Sequence, residues 1–89
     1  MAIDAGMNVG EVKALGNQLK TISDQIGQMV NALNTKVNST SWVGADAGKF
    51  KNDWWPGHRS HLQKIQQDLS GFGQSALNNA SEQENISNR

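Results

Sequence analysis

Asp53, His58 and His61 fall close together in the stretch KNDWWPGHRSH (51–61), which gathers the side-chain types able to hold a metal or move a proton. On a helix, His58 and His61 share a side and Asp53 lies about one turn before them, the layout of a facial metal site. No third ligand has a firm spacing, and Arg59 brings a cation that opposes a metal, so the plainer reading is a solvated or hydrogen-bonded edge of a helical bundle. No metal or cofactor is expected. Ser41, His58 and Asp53 supply the residue types of an acyl-transfer triad, but nothing builds an oxyanion hole or fixes a base beside the hydroxyl, and the chain does not read as an enzyme. Trp54 and Trp55, beside Lys49, Lys51, His58 and Arg59, have the types of a base-stacking, phosphate-binding surface. Asp46, Asp53 and Asp68 dilute that patch, and tryptophans at core spacing usually pack, so no nucleic-acid partner is expected. Of the pair, Trp55, immediately before Pro56, reads as the more exposed and as a docking contact.

Composition sets the frame in which these residues must be held. The chain has 89 residues, room for one small unit. Its apolar fraction is 36%, below the ~45–50% of ordinary globular chains, so a thick self-contained core is not expected. Eight Lys plus Arg balance eight Asp plus Glu, which leaves no net field to attract polyanions. Cysteine is absent, excluding disulfides and thiolate chemistry without settling a compartment. The opening MAIDAGMNVGEVKALG lacks the basic and unbroken apolar regions of a secretory signal peptide. No window reaches the ~20 apolar residues of a membrane span. Membrane-surface binding is not expected either, because the polar faces are rich in Gln and Asn instead of Lys and Arg.

Two helices must position everything else. Val12, Leu15, Leu19, Ile22, Ile26, Met29 and Leu33 alternate in steps of three and four, predicting a helix over about 8–39 with a coiled-coil-like seam. Val9, Val30 and Val37 widen its stripe. Gly16 and Gly27 lower helix propensity, so packing must offset them or they must permit close helix approach. A second pattern begins with Ala47, Phe50 and Trp54 and resumes at Leu62, Ile65, Leu69, Phe72 and Ala76, predicting a helix over about 46–78. Asp46 suits its first turn. Pro56 removes one backbone donor and collides with the Asn52 carbonyl, so a kink and a slip of register are expected there. Residues 79–89 have too few apolar side chains to offset ordering and are expected to be disordered.

Between the helices stands SWVG. A reversal over about 40–45 calls for a residue free to take positive φ, and Gly44 meets that need. Trp42 is then suited to close the open end of the helix pair as a plug. The central Trp-x-Gly, the length near one hundred residues, the two flanking amphipathic helices and the stretch GADAGKF…DWW…HR together resemble the WXG-type, early-secreted-antigenic-target-like proteins of type VII secretion systems, in particular actinobacterial members. The resemblance covers nearly the whole chain. It implies a homo- or heterodimer with a related WXG-like protein, and contact with a secretion ATPase. It also implies export without a cleaved signal peptide from a cytoplasmic precursor, with Trp42 and Gly44 forming a recognition cleft at the bend. Partners in that family often carry a C-terminal Tyr-x-x-x-Asp/Glu signal, whereas this chain has no tyrosine. That leaves three routes open: a signal-bearing partner, a divergent signal, or a chain that is not itself a substrate.

The expected fold is all-α, an antiparallel two-helix hairpin over 1–78 that dimerises into a four-helix bundle. Two helices cover only one stripe of each other, and here each carries more than one. The surplus residues, Val12, Leu15, Leu19, Ile22, Ile26, Phe50, Trp54, Trp55, Leu62, Ile65 and Leu69, are the expected dimer or partner interface. The sequence leaves open a homodimer, a heterodimer, and a non-exported structural or regulatory bundle.

Overall fold

A computed structural model describes residues 7–87, and these residues are entirely helix and connecting turn. Helix α1 spans Val9–Ser39. Asn8 caps it, its Oδ1 accepting from the Glu11 N–H at 3.0 Å, and Glu11 places a carboxylate in the first turn against the exposed backbone donors. At the other end the Thr40 N–H and hydroxyl both donate to the Lys36 carbonyl, at 3.0 and 2.6 Å, and the chain leaves the helix extended.

The reversal uses residues 40–44 and turns on Gly44, whose φ of 113° and ψ of 177° belong to a region essentially restricted to glycine. Helix α2 follows at Ala45–Lys49 with Asp46 in its first turn. A π-helical turn over Phe50–Trp54 leads directly into helix α3, Trp55–Ser87. The Trp55 N–H reaches back five residues to the Phe50 carbonyl. This widened turn is where the register slip expected at Pro56 resides: a prolyl nitrogen cannot donate to Asn52, and the extra residue is absorbed just upstream.

Helices α1 and α3 lie side by side and run in opposite directions. Lys13 meets Glu84, Ser23 meets Gln66, and Asn34 meets Trp55 and Arg59. The result is a rod about 66 Å long and only 14–16 Å across, the cross-section of two helices. Its inner seam is built largely from small and polar residues. In α1 the buried positions Gly16, Ser23, Val30 and Val37 recur every seventh residue, a heptad line facing the neighbouring helix. Gly16 and Gly73 face each other so closely that a Cβ on either would sit 2.8 or 2.7 Å from the other's carbonyl oxygen. The Ser23 hydroxyl donates to the Gln66 carbonyl at 2.8 Å.

Two expectations are corrected. The second helix does not end near residue 78: α3 continues to Ser87, with Ala80 fully buried and Glu84 paired to Lys13 at 2.8 Å. The tail is held by contacts that the neighbouring helix supplies, which its own meagre apolar content does not reveal. Residues 88–89 lie outside the described residues. The two tryptophans also exchange roles: Trp55 is 3% exposed and Trp54 is 51% exposed. The π-turn advances the phase so that Trp55 faces α1, where its Nε1–H donates to the Asn34 Oδ1 at 2.9 Å. Trp55 therefore belongs to the inner seam and not to an outer interface.

Candidate functional site: an open apolar face

Closing the helix pair on small residues leaves the large apolar ones outside. Leu15, Ile22 and Met29 immediately precede the buried seam residues Gly16, Ser23 and Val30, about 100° round the helix. Leu15, Ile22, Met29 and Leu33 are all exposed, as are Ile65 and Phe72 of α3. Val12, Leu19, Ile26, Leu62 and Leu69 are half-buried at the margin of the seam. In α3, Leu62, Leu69 and Ala76 stand three residues after Arg59, Gln66 and Gly73, the residues turned to α1. That is the same rotational sense as in α1, and between antiparallel helices the same sense means one shared face. A shallow wholly apolar groove confirms the convergence, lined by Ile26, Met29, Val30 and Leu33 of α1 and by Leu62 of α3.

Toward the turn this face becomes aromatic. Trp42 and Phe50 have ring centres 5.7 Å apart, Phe50 stacks on Trp54 at 5.0 Å, and Trp54 stacks on the His58 imidazole at 4.0 Å. Tilted and offset contacts at these separations are the favourable ones for π systems. The steps of four residues that carry Phe50, Trp54 and His58 continue into Leu62, so the aromatic ladder and the aliphatic face form one strip.

Trp42 is 44% exposed and leans on Phe50, so it does not serve as a buried plug. The indole sealed inside the pair near the bend is Trp55. Lys51, read from sequence as part of a basic patch beside the tryptophans, instead steadies the reversal: its ammonium donates to the carbonyls of Thr40 and Trp42 at 3.0 and 3.2 Å. Asn34 was silent in sequence, yet its Oδ1 accepts from both the Trp55 indole and, at 2.8 Å, the Arg59 guanidinium. A polar residue shared between two helices fixes their register.

Asp53, His58 and His61 line one open groove together with Lys49, Trp54 and Gly57. The Nδ1 of His58 lies 2.9 Å from the Trp54 carbonyl, four residues back along the chain. The His58 and His61 rings meet edge to face at 6.4 Å. Among the described residues, no group of three or more His, Asp or Glu is arranged to hold a metal ion, and no helix is long and apolar enough to cross a membrane. Compared with protein-family models, curated proteins and solved structures, the chain matches none.

Proposed function

We propose that this chain is a WXG-like protein of a type VII secretion system, a substrate or the escort of one, acting by dimerisation and recognition without catalysis. In this reading the helical hairpin pairs with a related hairpin through its open apolar face to complete a four-helix bundle. The observation that carries the pairing is the outward position of Leu15, Ile22, Met29, Leu33, Ile65 and Phe72 in a rod only two helices thick. A soluble chain rarely leaves so continuous an apolar strip without a partner. The assignment to secretion rests on the central Trp-x-Gly at the Gly44 reversal and on the length and layout of the helices. Trp42, half-exposed beside Phe50, offers a surface at the bend for a secretion ATPase or a partner's export signal.

Extracellular accumulation that disappears when the secretion ATPase is deleted tests this function. Trp42→Ala is expected to keep the helical circular dichroism signal while abolishing export. Accumulation indifferent to the ATPase, or confinement to the cytoplasm in its presence, favours instead a structural or regulatory bundle, the reading that the absence of tyrosine supports.

A further inference from the structure

We infer that His58 and His61 form a site for a late first-row transition-metal ion, Zn²⁺ or Cu²⁺, held by two imidazoles and completed by water. In sequence the case against a metal rested on the missing third ligand and on the Arg59 cation. The structure removes the second objection. The Arg59 guanidinium is drawn across to α1, where the Asn34 Oδ1 accepts from it at 2.8 Å. It does not line the groove that holds Asp53, Gly57, His58 and His61. Lys49, which does line that groove, is offset there by Asp53, so no net charge repels an arriving cation.

His58 is prepared as a ligand. A carbonyl oxygen only accepts, so the 2.9 Å contact between the His58 Nδ1 and the Trp54 carbonyl places the ring proton on Nδ1. In the neutral ring that leaves the lone pair on Nε2. Metal-binding histidines almost always use their other nitrogen in this way, because the bond fixes the tautomer and raises the basicity of the ligating nitrogen. The Trp54 indole, stacked on the imidazole at 4.0 Å with planes 26° apart, holds the ring's orientation as well. One ligand is thus set before an ion arrives, which lowers the ordering cost of binding.

His61 supplies the second. It stands three residues on, a spacing that puts both rings on one side of α3, and it is exposed. The ring centres are 6.4 Å apart. With Zn–N bonds of ~2.0–2.1 Å an ion sits about 3.2 Å from each ring centre, so two rings bound at a tetrahedral angle have centres about 5.2 Å apart. The rings must therefore close by about 1 Å, within reach of a side-chain rotation by the exposed His61. Beside them Gly57 leaves the groove open: a Cβ there would meet nothing within 4 Å, so the ion and its waters have room. Asp53 offers its carboxylate on the same groove to a bound water. Among the described residues no third side chain closes the shell, which makes the site one of exchangeable capture and not a structural centre. Imidazole nitrogen selects Cu²⁺, Ni²⁺ and Zn²⁺ over Mg²⁺ and Ca²⁺, which demand oxygen ligands.

The chain contains two histidines and no cysteine, so imidazole coordination has no other source. Zn²⁺ alone, titrated into the full chain and followed by calorimetry and by the NMR signals of the two rings, should bind one ion per chain and move both rings together. Cu²⁺ should bind more tightly than Zn²⁺, and Mg²⁺ or Ca²⁺ should leave both rings unmoved. His58→Gln and His61→Gln both alter exposed side chains, so each should keep the parent's circular dichroism while lowering Zn²⁺ affinity at least about tenfold. No saturable binding at millimolar Zn²⁺, a titration that moves one ring only, or an affinity that survives in the double variant overturns the inference. A monomeric, unexported chain that still binds Zn²⁺ through both rings refutes the secretion reading and not this site, whereas an exported dimer without Zn²⁺ binding refutes the site alone.

Discussion

Gly71 and Gly73 stand two residues apart in α3, and the same substitution should act on them in opposite directions. In a helix interior, Gly→Ala stabilises by about 1 kcal/mol through backbone entropy. At Gly71 nothing lies within 4 Å of the added Cβ and the residue is exposed, so that gain is realised in full. At Gly73 the same Cβ would sit 2.7 Å from the Gly16 carbonyl oxygen and 2.7 Å from the Lys20 Cγ. The lysine stem can swing away but the carbonyl cannot, so α1 and α3 must part by about 0.7 Å to reach the 3.4 Å of ordinary contact. Overpacking of this kind costs about 1–3 kcal/mol, which cancels the propensity gain or exceeds it by up to about 2 kcal/mol. For a chain of this size each 1 kcal/mol moves the melting temperature by about 4–8 °C. Thermal unfolding followed by circular dichroism, at one fixed protein concentration, should therefore place Gly71→Ala above the parent and Gly73→Ala level with it or below, a gap of roughly 4–24 °C. Equal increases for both variants would refute the close helix approach on which the description of the inner seam rests.

Gly44→Ala should cost about 1–3 kcal/mol, because its φ of 113° is strained for any side chain while the added methyl itself meets nothing within 4 Å. A denaturation midpoint unchanged from the parent would count against that backbone assignment. Asn34→Ala strands the buried indole N–H of Trp55 and releases Arg59, a loss of about 1–3 kcal/mol in chemical unfolding. Asn34→Asp keeps the acceptor and should recover most of that loss. Trp54→Ser should preserve helicity yet weaken self-association, since Trp54 is exposed on the open face. If association by sedimentation is unaffected, the aromatic ladder lies outside the interface.

Much of this arrangement was legible in sequence because it follows from spacing. The three-four alternation located both long helices, the Trp-x-Gly stretch located the reversal, and Pro56 with the broken register announced an irregular turn close to the π-helical segment at Phe50–Trp54. What stayed hidden depends on the second helix as an environment. The stretch beyond residue 78 looks too polar to order alone, yet Ala80 is buried against its neighbour and Glu84 finds Lys13. The exchange of Trp54 and Trp55 turns on one extra residue in the π-turn, which shifts phase by nearly a third of a turn and leaves composition unchanged. Gly16 was legible as a point of close helix approach and is one, against Gly73, whereas Ser23 carries no apolar signal and only its seven-residue recurrence with Gly16, Val30 and Val37 marks it as part of the inner seam. Asn34 acts through Trp55 and Arg59, distant in the chain, and no local pattern marks it, while Lys51 stands in a basic patch and its role at the reversal depends on where the turn places the Thr40 and Trp42 carbonyls.

The central claim is that a rod two helices thick leaves one apolar face uncovered and fills it by association. Sedimentation equilibrium of the purified chain, from low to several hundred micromolar, measures this most directly. The account predicts a mass of twice 9.7 kDa across the upper part of that range, with helicity lost on dilution as the pair dissociates. A stable, fully helical species of 9.7 kDa at every concentration would contradict it.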